Sequence, residues 1–318
     1  MSDEQATQVF IDHRELLFSI VYNMLGSVAD AEDVLQETWL SWARRSAPSA
    51  GEQVASPRAY LVRIAVNAAL ARQASISRRR EEYVGPWLPE PFVTEGEDAA
   101  GPAVRAESVS MGLFVVLQSL TPLERVVFLL HEVFGYAHTE IAGILGRTPA
   151  AVRQLAHRAR EHVHARRPRY DVDPGVRRRA TEKFLAAVFG GDLAALLRLL
   201  APDVTLWSDG GGKAPAPARL RPVRGRDKVA RLLAAGPGRV PEGLDVRYRE
   251  INGDPSAVLF DGDAPFGMMV LDLTPDGEQV AGIYAVTNPD KLVRITDRNP
   301  ERSDTDRPGT PSCEGADD

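Results

Sequence analysis

The sequence predicts two successive all-α segments followed by an α+β domain. Apolar residues recur at helical spacing through roughly the first half of the chain, and a capped helix–turn–helix pattern closes that stretch. Short β-branched runs punctuated by Gly, Pro and Asp begin at Val204. Helices first and a mostly antiparallel sheet afterwards is the α+β order.

With 318 residues, 44% hydrophobic and 26% charged, the chain has an ordinary globular composition and the length for two or three small domains. No apolar run approaches a membrane span, and MSDEQATQVF lacks the features of a signal peptide. The single cysteine, Cys313, excludes a disulfide framework or a cysteine metal site. A cytoplasmic protein without metal or cofactor is expected. The net charge of −6 hides a segregation: Arg147 to Arg169 holds seven arginines against one acid, and Asp297 to Asp318 holds seven acids against three arginines. Such an asymmetry points to a nucleic-acid face with an acidic region elsewhere.

Taken in order, Phe10, Leu16, Leu17, Ile20, Val21, Met24 and Leu25 form one helical stripe, which Gly26-Ser27 breaks. Val34, Leu35, Thr38, Trp39 and Trp42 stripe a second helix that begins near Ala29. Ser56-Pro57 opens a third, which runs into Arg78-Arg79-Arg80. Residues 84–107 turn to proline, glycine and acids and read as a linker. Helical periodicity returns at Val109, and Thr121-Pro122 caps the next helix. Beyond Pro174 come one or two helices, then expected strands at Val204–Trp207, Leu244–Ile251, Ala257–Phe260, Met268–Leu273 and Val280–Val286. Residues 294–318 read as a disordered acidic tail.

The most specific local signal is AHTEIAGILGRTPAAVRQLAHRAREHV, Ala137 to Val163. Ile141, Leu145, Val152 and Leu155 hold two short helices together, Gly146 permits the sharp turn, and Thr148 with Pro149 starts the second helix. That helix is expected to expose Arg153, Gln154, His157, Arg158 and Arg160, side chains suited to phosphates and base edges, with Arg147 and Thr148 at its start.

SLTPLERVVFLLHEVFGYAHTEIAGILGRTPAAVRQLAHRAR resembles region four of the extracytoplasmic-function sigma factors, and DAEDVLQETWLSWAR with ASPRAYLVRIAVNAALARQASISRRR resembles their region two. The resemblance implies a region-two bundle (1–83), a linker (84–107) and a region-four helix–turn–helix (108–168) that reads the promoter −35 element. It implies that Asp30, Glu32, Asp33, Gln36, Glu37 and Trp39 face the basic coiled coil of the polymerase β′ clamp, with Leu35 and Leu40 as apolar anchors. Region four would meet the β flap. Arg63, Asn67, Arg72, Arg78 and Arg79, with Arg80 beside them, are assigned by the same likeness to −10 DNA.

Residues 176–293 resemble the SnoaL-like cone-shaped α+β barrel found fused to some of these factors. Three signatures carry the likeness: Trp87-Leu88-Pro89-Glu90-Pro91, Asp209-Gly210-Gly211-Gly212-Lys213 and Asn288-Pro289-Asp290-Lys291-Leu292. WLPEP is a stiff segment, and the triple glycine allows close approach of another part of the chain. All three are expected at interdomain contacts. Trp207, Phe260, Met268, Met269 and Tyr284 either line a pocket for a small ligand or simply form the barrel core.

Two other readings compete with a sigma factor regulated in cis: a barrel enzyme, or a ligand-sensing DNA-binding regulator. All six histidines lie at or before His164, so acid–base chemistry in the barrel falls to Asp209, Asp245, Asp261, Asp263, Asp272, Tyr248 and Tyr284. Several of these aspartates adjoin Gly or Pro, where a turn is the simpler explanation. Neither competing reading uses the acidic helix of region two.

Overall fold

The computed structural model describes residues 2–47, 54–94, 109–164, 172–214, 220–236, 241 and 243–295. The expected linker beyond Thr94, Arg166, Arg167 and Arg169 of the basic stretch, and the expected tail from residue 296 with Cys313 lie outside them.

Helix α1 (Asp3–Leu25) starts at a capping box between Ser2 and Gln5 and stops at Gly26, whose φ of 72° is left-handed. A side chain at Gly26 would also run into the ring of Phe114, so this glycine lets the helix end lie against the second helical unit. Helix α2 (Val28–Ser46) is capped by the Ser27 hydroxyl, and α3 (Pro57–Glu81) carries Pro57 in its first turn. The buried Trp42 indole donates to the Ala6 carbonyl at 2.9 Å and fastens α2 to α1.

The second unit comprises α4 (Met111–Leu117), α5 (Pro122–Phe128) running into a π-helical turn (Leu129–Val133), α6 (His138–Leu145) and α7 (Pro149–His164). Leu17, Ile20, Leu61, Phe114, Val127, Leu130, Ile141 and Val152 belong to one continuous apolar cluster. The two helical units therefore share a core. Buried Arg125 reinforces the junction, donating to the carbonyls of Leu117 and Met24, each at 3.0 Å. Burial, and then Arg80 nearby, pushes its pKa down to about 9.

The third unit holds α8 (Pro174–Phe189), α9 (Leu193–Leu199), α10 (Arg226–Ala234), α11 (Pro289–Leu292) and six strands. These are β1 (Leu200–Asp209), β2 (Val223–Arg224), β3 (Asp245–Ile251), β4 (Asp254–Asp261), β5 (Ala264–Leu273) and β6 (Val280–Val286), in the order β2-β1-β6-β5-β4-β3. β1 runs parallel to β6, and the other described pairs are antiparallel. The five expected strands are present. β2 and α10 add to them from a Gly- and Pro-rich stretch that masks periodicity.

Strand alternation sorts the sheet into two faces. Leu206, Met269, Leu271 and Ile283 meet Phe184, Leu196 and Val229 of the domain's own helices. Phe260, Met268, Val270, Tyr284 and Val286 meet Leu88 from the WLPEP segment and Met111 from α4. The expected single lining is thereby corrected at Met269: adjacent strand residues point to opposite faces, so Met269 cannot share a wall with Met268. Leu88 and Met111 are fully buried, and each contributes about 1.5–3 kcal/mol of apolar burial.

Candidate functional site

Asp30, Asp33 and Glu37 lie along one side of α2, and the arginines of α3 are already on them. Arg72 reaches Asp33 at 2.8 Å and Glu37 at 2.7 Å, and Arg79 holds both oxygens of Asp30 at 2.8 Å. The bond that Arg72 donates to Asp33, with the one to Glu37 adding to it, raises the Arg72 pKa further. Glu32 pairs with Arg294 at 2.9 Å. Gln36 is exposed, and Trp39 is half-buried against Phe10, with ring centres 5.3 Å apart. Of the expected anchors, Leu35 is buried in the bundle core because it falls on the inward stripe, whereas Leu40 is 58% exposed.

Arg63 and Asn67 are exposed on α3, one turn apart. The Asn67 amide donates to the Arg63 carbonyl at 2.8 Å and to the Ile144 carbonyl at the end of α6 at 3.3 Å. The face expected to read the −10 element therefore abuts the unit expected to read the −35 element. Arg78 is exposed, but Arg80 turns inward. It donates to the Leu25 carbonyl at 2.7 Å and lies over the Trp87 ring at 5.2 Å.

In the helix–turn–helix, Gly146 adopts a left-handed φ of 61°, and the Thr148 hydroxyl accepts from the Ala151 amide at 3.2 Å. Arg147, Thr148, Arg153, Gln154 and His157 are exposed. Arg158 holds the buried carboxylate of Glu124 at 2.9 Å. Arg160 is half-buried and holds Glu132 at 2.5 Å. The expectation that α7 presents five open polar side chains is thus corrected at Arg160, which faces the π-helical turn.

The three signatures converge on one buried ion pair. Asp209, at the end of β1 and fully buried, accepts from the Tyr83 hydroxyl, from the Leu88 amide at 2.8 Å and from Lys291 Nζ at 2.7 Å. Lys291 also donates to the Leu88 carbonyl at 2.5 Å and sits 3.6 Å from the Trp87 ring centre. Desolvation pulls its pKa down to about 8 against the opposing pull of Asp209. Asn288 donates to the Tyr83 hydroxyl at 2.8 Å, and Lys213 pairs with Asp290 at 2.5 Å. Gly211 has a left-handed φ of 58°, and a Cβ there would strike Asn288 and Tyr83. Glu90 completes the joint: its carboxylate accepts from the first amide of α2, Val28, at 2.8 Å, a favourable seat at a helix N-terminus. Its carbonyl accepts from Tyr22 at 2.7 Å. Pro89 and Pro91 are buried between these contacts.

Sequence reasoning missed four members of this joint. Tyr83 precedes WLPEP, and Tyr22 lies in α1. Asn252, at a positive φ of 53°, exchanges hydrogen bonds with the Phe92 backbone and donates to Tyr22 at 2.9 Å. Asp254 accepts from the Met111 amide at 3.0 Å and from Arg177 at 2.5 Å. Only Asn252-Gly253 carries a local signal, as a hairpin turn.

Within the sheet domain, Tyr284 stacks on Trp207 and donates to Asp272 at 3.0 Å. Gly112 of α4 presses on that pair, since a Cβ there would meet both polar oxygens. Asp245 pairs with Arg247, Tyr248 lies under Arg178, and Asp261 and Asp263 are exposed in the β4–β5 turn. Among the described residues no cluster of His, Cys, Asp and Glu is built to hold a metal ion, and no helix is long and apolar enough to cross a membrane.

Family models for sigma-70 region 2 and sigma-70 region 4 match residues 9–79 and 113–163. The extracytoplasmic-function RNA polymerase sigma factor SigJ of Mycobacterium tuberculosis is 38% identical over 290 residues, covering 88% of this chain and 90% of that protein. The probable sigma factor SigI of the same organism is 28% identical over 286 residues, covering 88% and 92%. The crystal structure of M. tuberculosis SigJ matches with a TM-score of 0.68 and 35% identity, over 90% of this chain and 98% of that one. The likeness runs through the sheet domain as well as the helical pair.

Proposed function

The chain belongs to the extracytoplasmic-function RNA polymerase sigma factors, and on that premise we propose how its third domain governs promoter use. Sigma factors bind core polymerase and promoter DNA. The fused SnoaL-like domain holds regions two and four of this one in a closed arrangement, and initiation requires them to part. The observation that carries this reading is the contact from Asn67 to the Ile144 carbonyl at 3.3 Å, which sets the −10 face of α3 against region four. The joint built on Asp209 and Lys291 supports it, because it ties the sheet to the segment between the two regions. Closed and open forms then differ in their contacts with polymerase, so polymerase shifts the population. The barrel acts as a docking module rather than a catalyst: its apolar face is filled by Leu88 and Met111, and Asp272 with Tyr284 lies beneath α4.

Fluorophores on A71C and G143C, both exposed positions, in a C313S background test the opening. Energy transfer between them is expected to fall when core polymerase is added, in step with transcription from a cognate promoter. Transcription with unchanged transfer rules the closed-to-open step out.

Promoter recognition through α7 predicts a split among its arginines. R153A is expected to weaken duplex binding by about 1–3 kcal/mol and to flatten its salt dependence if the contact is to phosphate. R160A is expected to act on folding instead, lowering the melting temperature because the 2.5 Å pair that fastens α7 to Glu132 of the π-helical turn is lost. Binding titrations across salt concentrations, with melting curves alongside, separate the two. Equal effects on both readouts would remove the distinction.

A further inference from the structure

We propose that Arg294 is an internal stand-in for a polymerase cation: it occupies Glu32 of the acidic helix α2 until core polymerase displaces it. The proposal rests on the reading of that helix as polymerase-binding, and adds a competitor supplied by the fused domain. Arg294 lies two residues beyond the NPDKL signature. Its two terminal nitrogens meet the two carboxylate oxygens of Glu32 at 3.3 and 2.9 Å, and its Nε lies 3.6 Å from Glu90. A bidentate guanidinium–carboxylate pair is the geometry an arginine of a partner protein would use on the same acid. Both side chains remain partly open, 43% for Arg294 and 37% for Glu32, so an incoming cation can exchange with Arg294 without unfolding anything.

Asp30, Asp33 and Glu37, further round α2 from Glu32, are held from within the bundle by Arg72 and Arg79 of α3. Those two arginines stay beside the acids in any arrangement of the domains. Arg294 is different, because it arrives on the fused domain and leaves with it. Closing that domain therefore neutralises one polymerase-facing charge as well as closing the two regions. By linkage, polymerase that claims Glu32 weakens the docking of the fused domain to the same degree.

The test is a titration of the full chain against core polymerase at low and high salt. Partly exposed ion pairs are weak, so R294A is expected to tighten binding by about two- to fivefold. R294E is expected to tighten it more, and both gains should shrink at high salt. R178A removes the same charge from an exposed pair with Glu182 on the fused domain and should change nothing. L40Q, at an exposed position on α2, tests the face independently of Arg294 and should weaken binding. If L40Q weakens binding while R294A and R294E do not tighten it, the stand-in is refuted and the face survives. If L40Q has no effect, the polymerase-facing reading of α2 fails and takes the proposal with it. Amide exchange in α4 completes the set: a gain in R294A accompanied by faster exchange there would mean general loosening, and would overturn displacement as the cause.

Discussion

L88A is expected to open the closed arrangement and raise transcription more than any surface substitution in the chain. Leu88 is fully buried, yet its neighbours Phe260, Met268 and Tyr284 belong to a different domain from the linker that carries it. Truncating a buried leucine costs about 2–5 kcal/mol, through lost transfer energy and the cavity left behind. Here most of that cost falls on docking, because Leu88 is a wedge between folded units and belongs to the core of neither helical region. A shift of about 5.5 kcal/mol carries a two-state equilibrium from 1:99 to 99:1, so this single change spans much of the range. Amide exchange in β5, β6 and α4 should accelerate, energy transfer between regions two and four should fall without polymerase, and runoff transcript should increase. A single cooperative melting transition close to that of the parent would show that the units themselves stay folded. Unchanged exchange in L88A would mean that Leu88 does not hold the domains together.

The expected fold was legible because its signals are local. A stripe of apolar residues closed by a glycine marks α1 and α6, and Val280–Val286 reads as a strand from composition alone. The faces proposed to meet polymerase and promoter rest on a family pattern of residue types along α2, α3 and α7. What the residues do with one another was not legible. Asp33 meets Arg72 39 positions away, and Asn252 meets Tyr22 230 positions away, so neither bond leaves a trace in any window of sequence. Arg160 reads as an exposed basic residue until the π-helical turn places Glu132 beside it. Leu35 lies on the apolar stripe of α2 and is buried with it, against the outward anchor role that the family likeness gave it. Alternation along a strand assigns Met268 and Met269 to opposite faces, which argues against one shared lining for both.

Asp209 accepts from three donors at once, and this makes D209N a severe substitution although it changes little in volume. An asparagine keeps one acceptor oxygen. Its amide nitrogen then confronts either the Tyr83 hydroxyl or the Leu88 amide and Lys291 ammonium, which are themselves donors. Lys291 is left buried and charged with no carboxylate, a change that costs about 3–5 kcal/mol when a buried pair loses one member. D209N is expected to open the joint at pH 7 and raise transcription. K291M in the same chain should recover part of the closure, because it removes the stranded charge. The pH dependence follows from the lowered lysine pKa. In the closed form Lys291 titrates at about 8, and when exposed it returns to an ordinary lysine value near 10.4. Closed protein therefore binds fewer protons across that window. Closure gains stability as pH rises from about 8 towards 10.4, and loses that gain as pH falls back through 8. Without Asp209 the ammonium is disfavoured further, so the window in D209N should begin below that of the parent. Energy transfer measured from pH 7 to 10 in parent, D209N and D209N/K291M reads all three expectations. A D209N chain as closed as its parent at pH 7, with the same pH profile, would show that the ion pair at the meeting of the three signatures does not hold the regulator shut.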